Sequence, residues 1–413
     1  MERIIVIGGG ASGMMAAGRA AECGGNVICL ERTERLGNKL KITGKGRCNI
    51  TNMAEMSEFI QNYGKNGRFL YGPFAKFFNH DLIEFFEKRG VATVVERGKR
   101  VFPKSNEAEE ITRCLINYLK ENKVVIRTNF RVSRVIVEGN EVRGVEGRDE
   151  IVECEAVIIA TGGMSYPRTG STGDGYKLAE RLGHRIVPLA PGLVPLETEE
   201  SYVKELAGLS LKNITVSSFL NGKGFEEIFG EMLFTHFGLS GPIVLTMSQD
   251  IVQRLKLGRV TLSINFKPAL TKEMLEKRIL REFTEYGKMK FKNILKHLLP
   301  NKAIPVFIRL LKVSEDKRCG EIDKEGRQRL IELLSDFKMT VKCSRPIEEA
   351  IVTSGGIDLN EINPKTMESK KIKGLFFAGE VIDISGNTGG YNLQSAFSTG
   401  YVAGESAAKY SLK

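Results

Sequence analysis

The run Gly8-Gly9-Gly10-Ala11-Ser12-Gly13 constrains this chain more than any other stretch, because of what flanks it. Ile4-Ile5-Val6-Ile7 before it reads as a short buried strand, and Met14 to Cys23 after it, rich in Ala and Met, reads as a helix. Strand, glycine turn and helix form the setting in which G-x-G-x-x-G binds a dinucleotide. Gly8 permits the tight turn, Gly10 lets the backbone approach a pyrophosphate, and Gly13 lets helix and strand pack closely. The helix N-terminus offers unpaired N–H groups and a positive dipole end to the phosphates. Gly8, Gly10, Ala11, Ser12 and Gly13 are therefore candidate cofactor contacts. A second strand, Asn26–Leu30, ends at Glu31, eighteen residues beyond Gly13. A carboxylate there can accept hydrogen bonds from both hydroxyls of a ribose, with Arg32 beside it.

Three further loops are too polar and glycine-rich for plain connections. The first is Arg32–Asn52, which contains Gly37-Asn38-Lys39 and Thr43-Gly44-Lys45-Gly46-Arg47-Cys48-Asn49. The second, Ser165–Gly175, follows the apolar strand Ala156–Ala160 and its end Thr161-Gly162-Gly163. The third, Ser385–Gln394, follows Leu375-Phe376-Phe377-Ala378-Gly379-Glu380 and Asp383. Asp81–Arg89, Glu107–Glu121, Tyr176–Leu182 and Ser395–Ala408 read as helices, and Glu96–Pro103 as a basic hairpin. Gly139-Asn140 reads as a hairpin turn between alternating strands. Three prolines between Pro188 and Pro195 mark a boundary. Beyond it lie short strands over Leu209–Phe266, then a lysine- and arginine-rich helical stretch to Leu334. The α/β texture returns from Glu349.

At 413 residues the chain calls for two or three domains. A net charge of +11 favours polyanionic partners such as nucleic acid. No apolar run reaches the length of a membrane span, and the N-terminal apolar stretch is a strand and no leader. The seven cysteines (23, 29, 48, 114, 154, 319 and 343) are scattered without a C-x-x-C pair, and the four histidines lack metal-ligand spacing. That pattern argues for a reducing compartment, hence the cytoplasm, and against a disulfide framework or a metal site.

Gly8–Gly13 with Glu31, the strand end Ala160-Thr161-Gly162-Gly163, and Ala378-Gly379-Glu380 with Asp383 together resemble a FAD domain of the glutathione-reductase type. The resemblance places the carboxylate of Glu380, shared with Asp383, near the flavin ribityl or phosphates. It aims the helix opened by Gly389-Gly390-Tyr391-Asn392 at the isoalloxazine. Adding Lys39 with its Gly37-Asn38 setting, the Thr43–Asn52 loop and Phe234-Thr235-His236-Phe237-Gly238-Leu239-Ser240-Gly241-Pro242, the whole chain resembles the BaiN/YhiN family of bacterial NAD(P)/FAD-dependent oxidoreductases. That resemblance implies an α/β, Rossmann-like FAD domain made from both ends of the chain (residues 1–190 plus 345–413). It implies an inserted β-barrel-like domain (191–268) and an inserted helical domain (269–344). The implied cofactor is non-covalent FAD, with NADPH or NADH as a transient reductant, since no second G-x-G-x-x-G follows a strand.

Activities attributed within the family differ: uracil reduction to dihydrouridine in ribosomal RNA, oxidation of small amines, and steps of bile-acid dehydroxylation. Glutathione-reductase relatives carry a pair of cysteines in the loop after the ribose acid; this chain has Cys48 alone there, which argues against disulfide reduction. Cys48 and Asn392 are the candidate catalytic residues. A thiol can protonate C5 of a uracil that has received a hydride at C6, although the flanking Lys45 and Arg47 favour thiolate. Basicity favours this reading, with Lys45, Arg47, Lys99, Arg100 and the helical insert as phosphate contacts. The alternatives are a small-molecule amine oxidase, with Tyr391 and His236 lining its pocket, and a flavin-binding redox protein without turnover.

Overall fold

The computed structural model describes residues 3–148 and 150–412. The chain divides into two compact units, Met1–Gly192 with Ala350–Lys413, and Leu193–Glu349.

The first unit opens with β1 (Arg3–Ile7), α1 (Ala11–Glu22) and β2 (Asn26–Leu30), followed by β3 (Thr51–Asn52), β4 (Thr93–Glu96), β5 (Arg100–Pro103), α2 (Ala108–Glu121), β6 (Val125–Arg127) and β7 (Ala156–Ile159). The far end of the chain adds β8 (Leu375–Phe377) and α3 (Tyr391–Ser411). Five strands make one parallel sheet in the order β8-β7-β1-β2-β6. Ile5 stands opposite both Val157 and Ile28, and Ile158 opposite Phe376. The centre of the sheet is buried on both faces, which is why β1 and β7 read as unbroken apolar runs rather than alternating ones. This is the Rossmann-like architecture expected of the sequence, closed by β8 from the other end of the chain.

Two glycines, four apart on α3, set the depth of the layer above the sheet. A Cβ at Gly400 would lie 2.4 Å from the Ser12 carbonyl oxygen, and one at Gly404 would lie 2.3 Å from that of Ala16. α3 therefore rides directly on the backbone of α1, and the two helix N-termini are brought to one end of the sheet. β3, β5 and β4 form a separate antiparallel sheet beside them. The hairpin turn at Gly139-Asn140 is present, with Glu138 paired to Glu141.

The second unit is a closed six-stranded barrel: Leu196–Thr198, Gly238–Ser240, Lys223–Phe234, Ser210–Leu220, Val260–Asn265 and Phe337–Ser344. Phe337–Ser344 closes it by pairing with both Val260–Asn265 and Leu196–Thr198. The helices between Lys272 and Ser335 share the barrel's apolar core; Phe307 stacks on Phe337 at 5.4 Å. No helix among the described residues is long and apolar enough to cross a membrane.

Candidate active site

The glycine turn is built for close approach. Gly8 has φ +110°, and a Cβ on it would lie 2.5 Å from the Ala160 carbonyl oxygen. A Cβ on Gly13 would lie 1.8 Å from the Gly8 carbonyl oxygen, so helix and strand touch there. Gly10 differs: a Cβ on it would meet nothing within 4 Å. It caps α1, whose first turn, opened by Ala11 and Ser12, carries neither an acidic residue nor a capping side chain. Backbone amides and a positive dipole end thus face open space, which suits a pyrophosphate.

Glu31 is 8% exposed and accepts hydrogen bonds from the Gly9 amide (2.7 Å) and from the Thr33 amide (2.8 Å) and hydroxyl (2.7 Å). An ionised carboxylate has about four acceptor positions, so one remains for a ribose hydroxyl. Gly170 brings the second glycine-rich loop to the same place; a Cβ there would lie 3.5 Å from Glu31 Oε1. Arg32 turns away from Glu31, donating to Asp174 at 2.9 Å and to Thr172.

At the other end of the turn, Gly379 is pressed on Ser12: a Cβ would lie 2.3 Å from the serine hydroxyl. The Gly379 amide donates to Thr399 at 2.9 Å. Glu380 then collects three groups, the Lys39 ammonium (2.7 Å), the Thr353 amide (2.7 Å) and the Ser165 hydroxyl (3.2 Å). Asp383 lies outside this cluster. Its carboxylate accepts from Asn66 at 2.9 Å and lines a cleft of about 510 Å³ with Lys65, Arg185, Asp358 and Lys370. Burial raises its pKa.

Gly389 (φ +129°) and Gly390 (φ +100°) open α3. A Cβ on Gly390 would lie 2.3 Å from the Thr51 carbonyl oxygen, so the helix N-terminus sits on β3. The Asn52 side-chain amide donates to the carbonyls of Gly389 (2.9 Å) and Gly98 (3.0 Å). Tyr391 is buried, edge-on to Phe59 at 4.7 Å, with its carbonyl accepting from Tyr63. Asn392 is bonded to backbone. Its Oδ1 accepts from the Gly386 amide at 2.8 Å, and its Nδ2 donates to the Gly386 (2.7 Å) and Asn387 carbonyls. The amide is spent on backbone, which makes Asn392 a positioning residue for the 386–390 loop.

The Thr43–Asn49 loop has left-handed backbone at Gly44, Lys45, Gly46 and Cys48. Cys48 is fully buried and its thiol is pushed up to about 12 by burial, with a hydrogen bond to Thr43 acting the other way. The sequence suggested that the flanking cations favour thiolate, and they do not: Lys45 is exposed, and Arg47 is engaged with Glu96 and Asn106. His236 belongs to the barrel unit, edge-on to Phe237, and Tyr391 to the other unit.

Thr161 Oγ1 and Asn49 Oδ1 are buried oxygens without a partner among the described residues. Buried polar atoms are rarely left unpaired. Thr161 precedes Gly162 (φ +72°) at the end of β7, and Asn49 ends the left-handed loop. With open Gly10 and the spare acceptor on Glu31, they fit a bound FAD. The sequence missed Asn49, Ser165, Thr353 and Asn52 as individual contacts, although all but Thr353 and Ser165 lie in the first glycine-rich loop.

The family model described as HI0933-like protein Rossmann domain matches residues 2–406. The chain is 32% identical over 414 residues to the 3-dehydro-bile acid delta(4,6)-reductase of Clostridium scindens, covering 99% of this chain and 100% of that protein. It is 32% identical over 411 residues to the ribosomal RNA dihydrouridine synthase of Escherichia coli, covering 98% of each. The open conformation of a flavocytochrome c3 fumarate reductase shares the fold, with a TM-score of 0.51 and 17% identity over 100% of this chain and 79% of that one.

Proposed function

Because this chain belongs to the HI0933-like Rossmann family, a family of FAD-dependent oxidoreductases, we propose that it reduces a carbon–carbon double bond conjugated to a carbonyl, and that the bond is the 5,6 bond of a uracil in ribosomal RNA. The observation that carries the reaction type is the equal, full-length similarity to two relatives whose names both describe such a reduction, one on a 3-oxo steroid acid and one on uridine. The net charge of +11 favours the RNA, and a cytoplasmic location goes with it.

Reduced FAD supplies the hydride when bound, with NADPH or NADH as the reductant. The chain's own part is to hold and to protonate. The α1 N-terminus at Gly10–Gly13 holds the pyrophosphate, Glu31 the ribose, and Lys39 with Glu380, Thr161 and Gly162 the middle of the cofactor. The α3 N-terminus, fixed by Gly389, Gly390, Tyr391 and Asn392, offers its positive end to negative charge on the ring. Cys48 is the proton donor of this reading: burial holds its thiol in the protonated form, and the Thr43–Asn49 loop has to shift to bring that thiol within reach of the base. The target base enters unpaired or flipped, because a duplex shields C6 from any ring.

The test is anaerobic. The yellow holoenzyme is reduced with NADPH or NADH and offered ribosomal RNA lacking dihydrouridine. Flavin reoxidation with dihydrouridine appearing in the RNA supports the proposal. Reoxidation by a conjugated steroid ketone and not by RNA moves the substrate to small molecules. Reduction of the oxidised enzyme by an amine overturns the reaction type.

A further inference from the structure

The loop that precedes α3 is tied through Asn52 to the β4–β5 hairpin, whose turn is Arg97-Gly98-Lys99. One amide group makes the closest link: Asn52 Nδ2 lies 3.0 Å from the Gly98 carbonyl oxygen and 2.9 Å from that of Gly389. The Met53 amide donates to the Lys99 carbonyl and the Ile50 amide to that of Val101, so β3 fixes the hairpin along its length. On the other side, a Cβ at Gly44 would lie 3.7 Å from the Phe102 ring. The Arg47 guanidinium lies 4.1 Å over that ring and Arg100 lies 5.7 Å from it. The hairpin turn is thus a fixed part of the rim beside the start of α3.

Its charge is unevenly neutralised. Glu96, opposite Arg100 in the pairing, is bound by Arg47, and Lys99 is bound to Glu58 at 2.8 Å. Arg97, Arg100 and Lys45 are exposed and in no ion pair among the described residues. On the helical segment of the barrel unit Lys290, Lys292, Arg309 and Arg329 each face a carboxylate, while Lys272, Lys277, Arg281, Lys288 and Lys296 are exposed and in no ion pair among the described residues. Free cations bind phosphate more strongly than paired ones, because no ion pair has to be given up. Exposed guanidinium planes also stack on unpaired bases.

We propose that Arg97 and Arg100 of the β4–β5 turn, with Lys45, bind the phosphates of the RNA strand on either side of the uracil that enters the flavin site. This rests on the reading of the substrate as RNA. It assigns docking to the hairpin because Asn52 ties that turn to the start of α3; the helices of the second unit also carry free cations and are the comparison in the test.

The experiment uses the FAD-loaded full chain and an unmodified large-subunit ribosomal RNA transcript, with binding measured across a salt series. The variants are Arg97→Ala/Arg100→Ala, the milder Arg97→Gln/Arg100→Gln, and Lys288→Ala/Lys296→Ala on the helical segment as a comparison. Both hairpin pairs are expected to weaken binding about tenfold or more at low salt and to flatten the log–log salt slope by about one for each cation removed. The absorption spectrum of the bound flavin and the melting temperature stay as in the parent. Unchanged affinity and slope in both hairpin pairs, in an enzyme that still binds and modifies RNA, overturns this inference and leaves the substrate reading standing. A parent enzyme with no RNA affinity overturns the substrate reading and this inference with it.

Discussion

The Lys39 ammonium lies 2.7 Å from the Glu380 carboxylate, although 341 residues separate them in the chain. The pair fastens the first glycine-rich loop to the turn after β8, and Glu380 in turn holds Ser165 and Thr353. Four segments distant in sequence therefore meet at one carboxylate. Each partner is about one-fifth exposed, so solvent reduces the worth of the pair without removing it.

Lys39→Met is expected to cost about 1–2 kcal/mol of stability, because it leaves Glu380 short of its cation, while Lys39→Met/Glu380→Gln recovers part of that loss. FAD retention falls in both. Urea melts of the apoprotein with fluorescence titration of FAD check this. Additive losses from the two sites would show that the pair is not coupled.

The two glycines at the head of α1 separate binding from folding. Gly10 has φ −82° and open space where a Cβ would stand, so Gly10→Ala is expected to fold normally and to lose FAD affinity by about tenfold or more. Gly13→Ala puts a methyl 1.8 Å from the Gly8 carbonyl oxygen and is expected to destabilise the fold by several kcal/mol. Circular dichroism and flavin content of the purified variants decide it; equal flavin content in Gly10→Ala and the parent would contradict the placement of the pyrophosphate.

The Cys48 thiol, pushed up to about 12 by burial, is expected to react with iodoacetamide at pH 8 at least about a hundredfold more slowly than a free cysteine, and to react once the protein is unfolded. Peptide mapping after alkylation measures it. Cys29 and Cys154 are raised to about 12 in the same way. In the folded state these thiols, and Cys114 and Cys319 raised to about 11, hold protons that the unfolded chain releases near pH 9. Stability falls as pH rises from about 9 towards 12, by about 1.4 kcal/mol per pH unit for each thiol. Cys48→Ala tests the acid role separately: reoxidation of the reduced flavin by substrate slows, and its reduction by the nicotinamide does not.

How much of this was legible beforehand depends on how local the signal was. The glycine turn, Glu31 and the apolar strands were readable because each is a short pattern with one physical meaning, and the basic hairpin announced itself in Glu96–Pro103. The fate of Asn392 was not readable, because an amide that binds flavin and one that binds the Gly386 backbone look alike in sequence. Cys48 misled for the same reason: Lys45 and Arg47 flank it in the chain, yet left-handed turns at Lys45 and Cys48 carry the cations outward and the thiol inward. Barrel closure was hidden because Leu196–Thr198 pairs with Phe337–Ser344 across the whole helical segment.

His184 is buried, with Nδ1 2.9 Å from Glu361 and Nε2 3.0 Å from the Ser369 hydroxyl, and its ring stands edge-on to Phe377 at the end of β8. Burial lowers its pKa, and Glu361 only partly offsets that. The folded protein therefore takes up this proton at lower pH than the unfolded chain, whose histidine titrates near 6.5. Stability is present in full above that value and is lost as pH falls below it, at about 1.4 kcal/mol per pH unit between the two pKa values. His184→Asn removes the titration, so its stability is expected to be lower than the parent's at pH 7.5 and to change less between pH 7 and pH 5. Because Phe377 leads straight into Ala378-Gly379-Glu380, the same protonation is expected to loosen FAD, and flavin release on acidification should be steeper in the parent than in the variant. Parallel pH profiles for the two proteins would show that His184 does not carry the acid sensitivity.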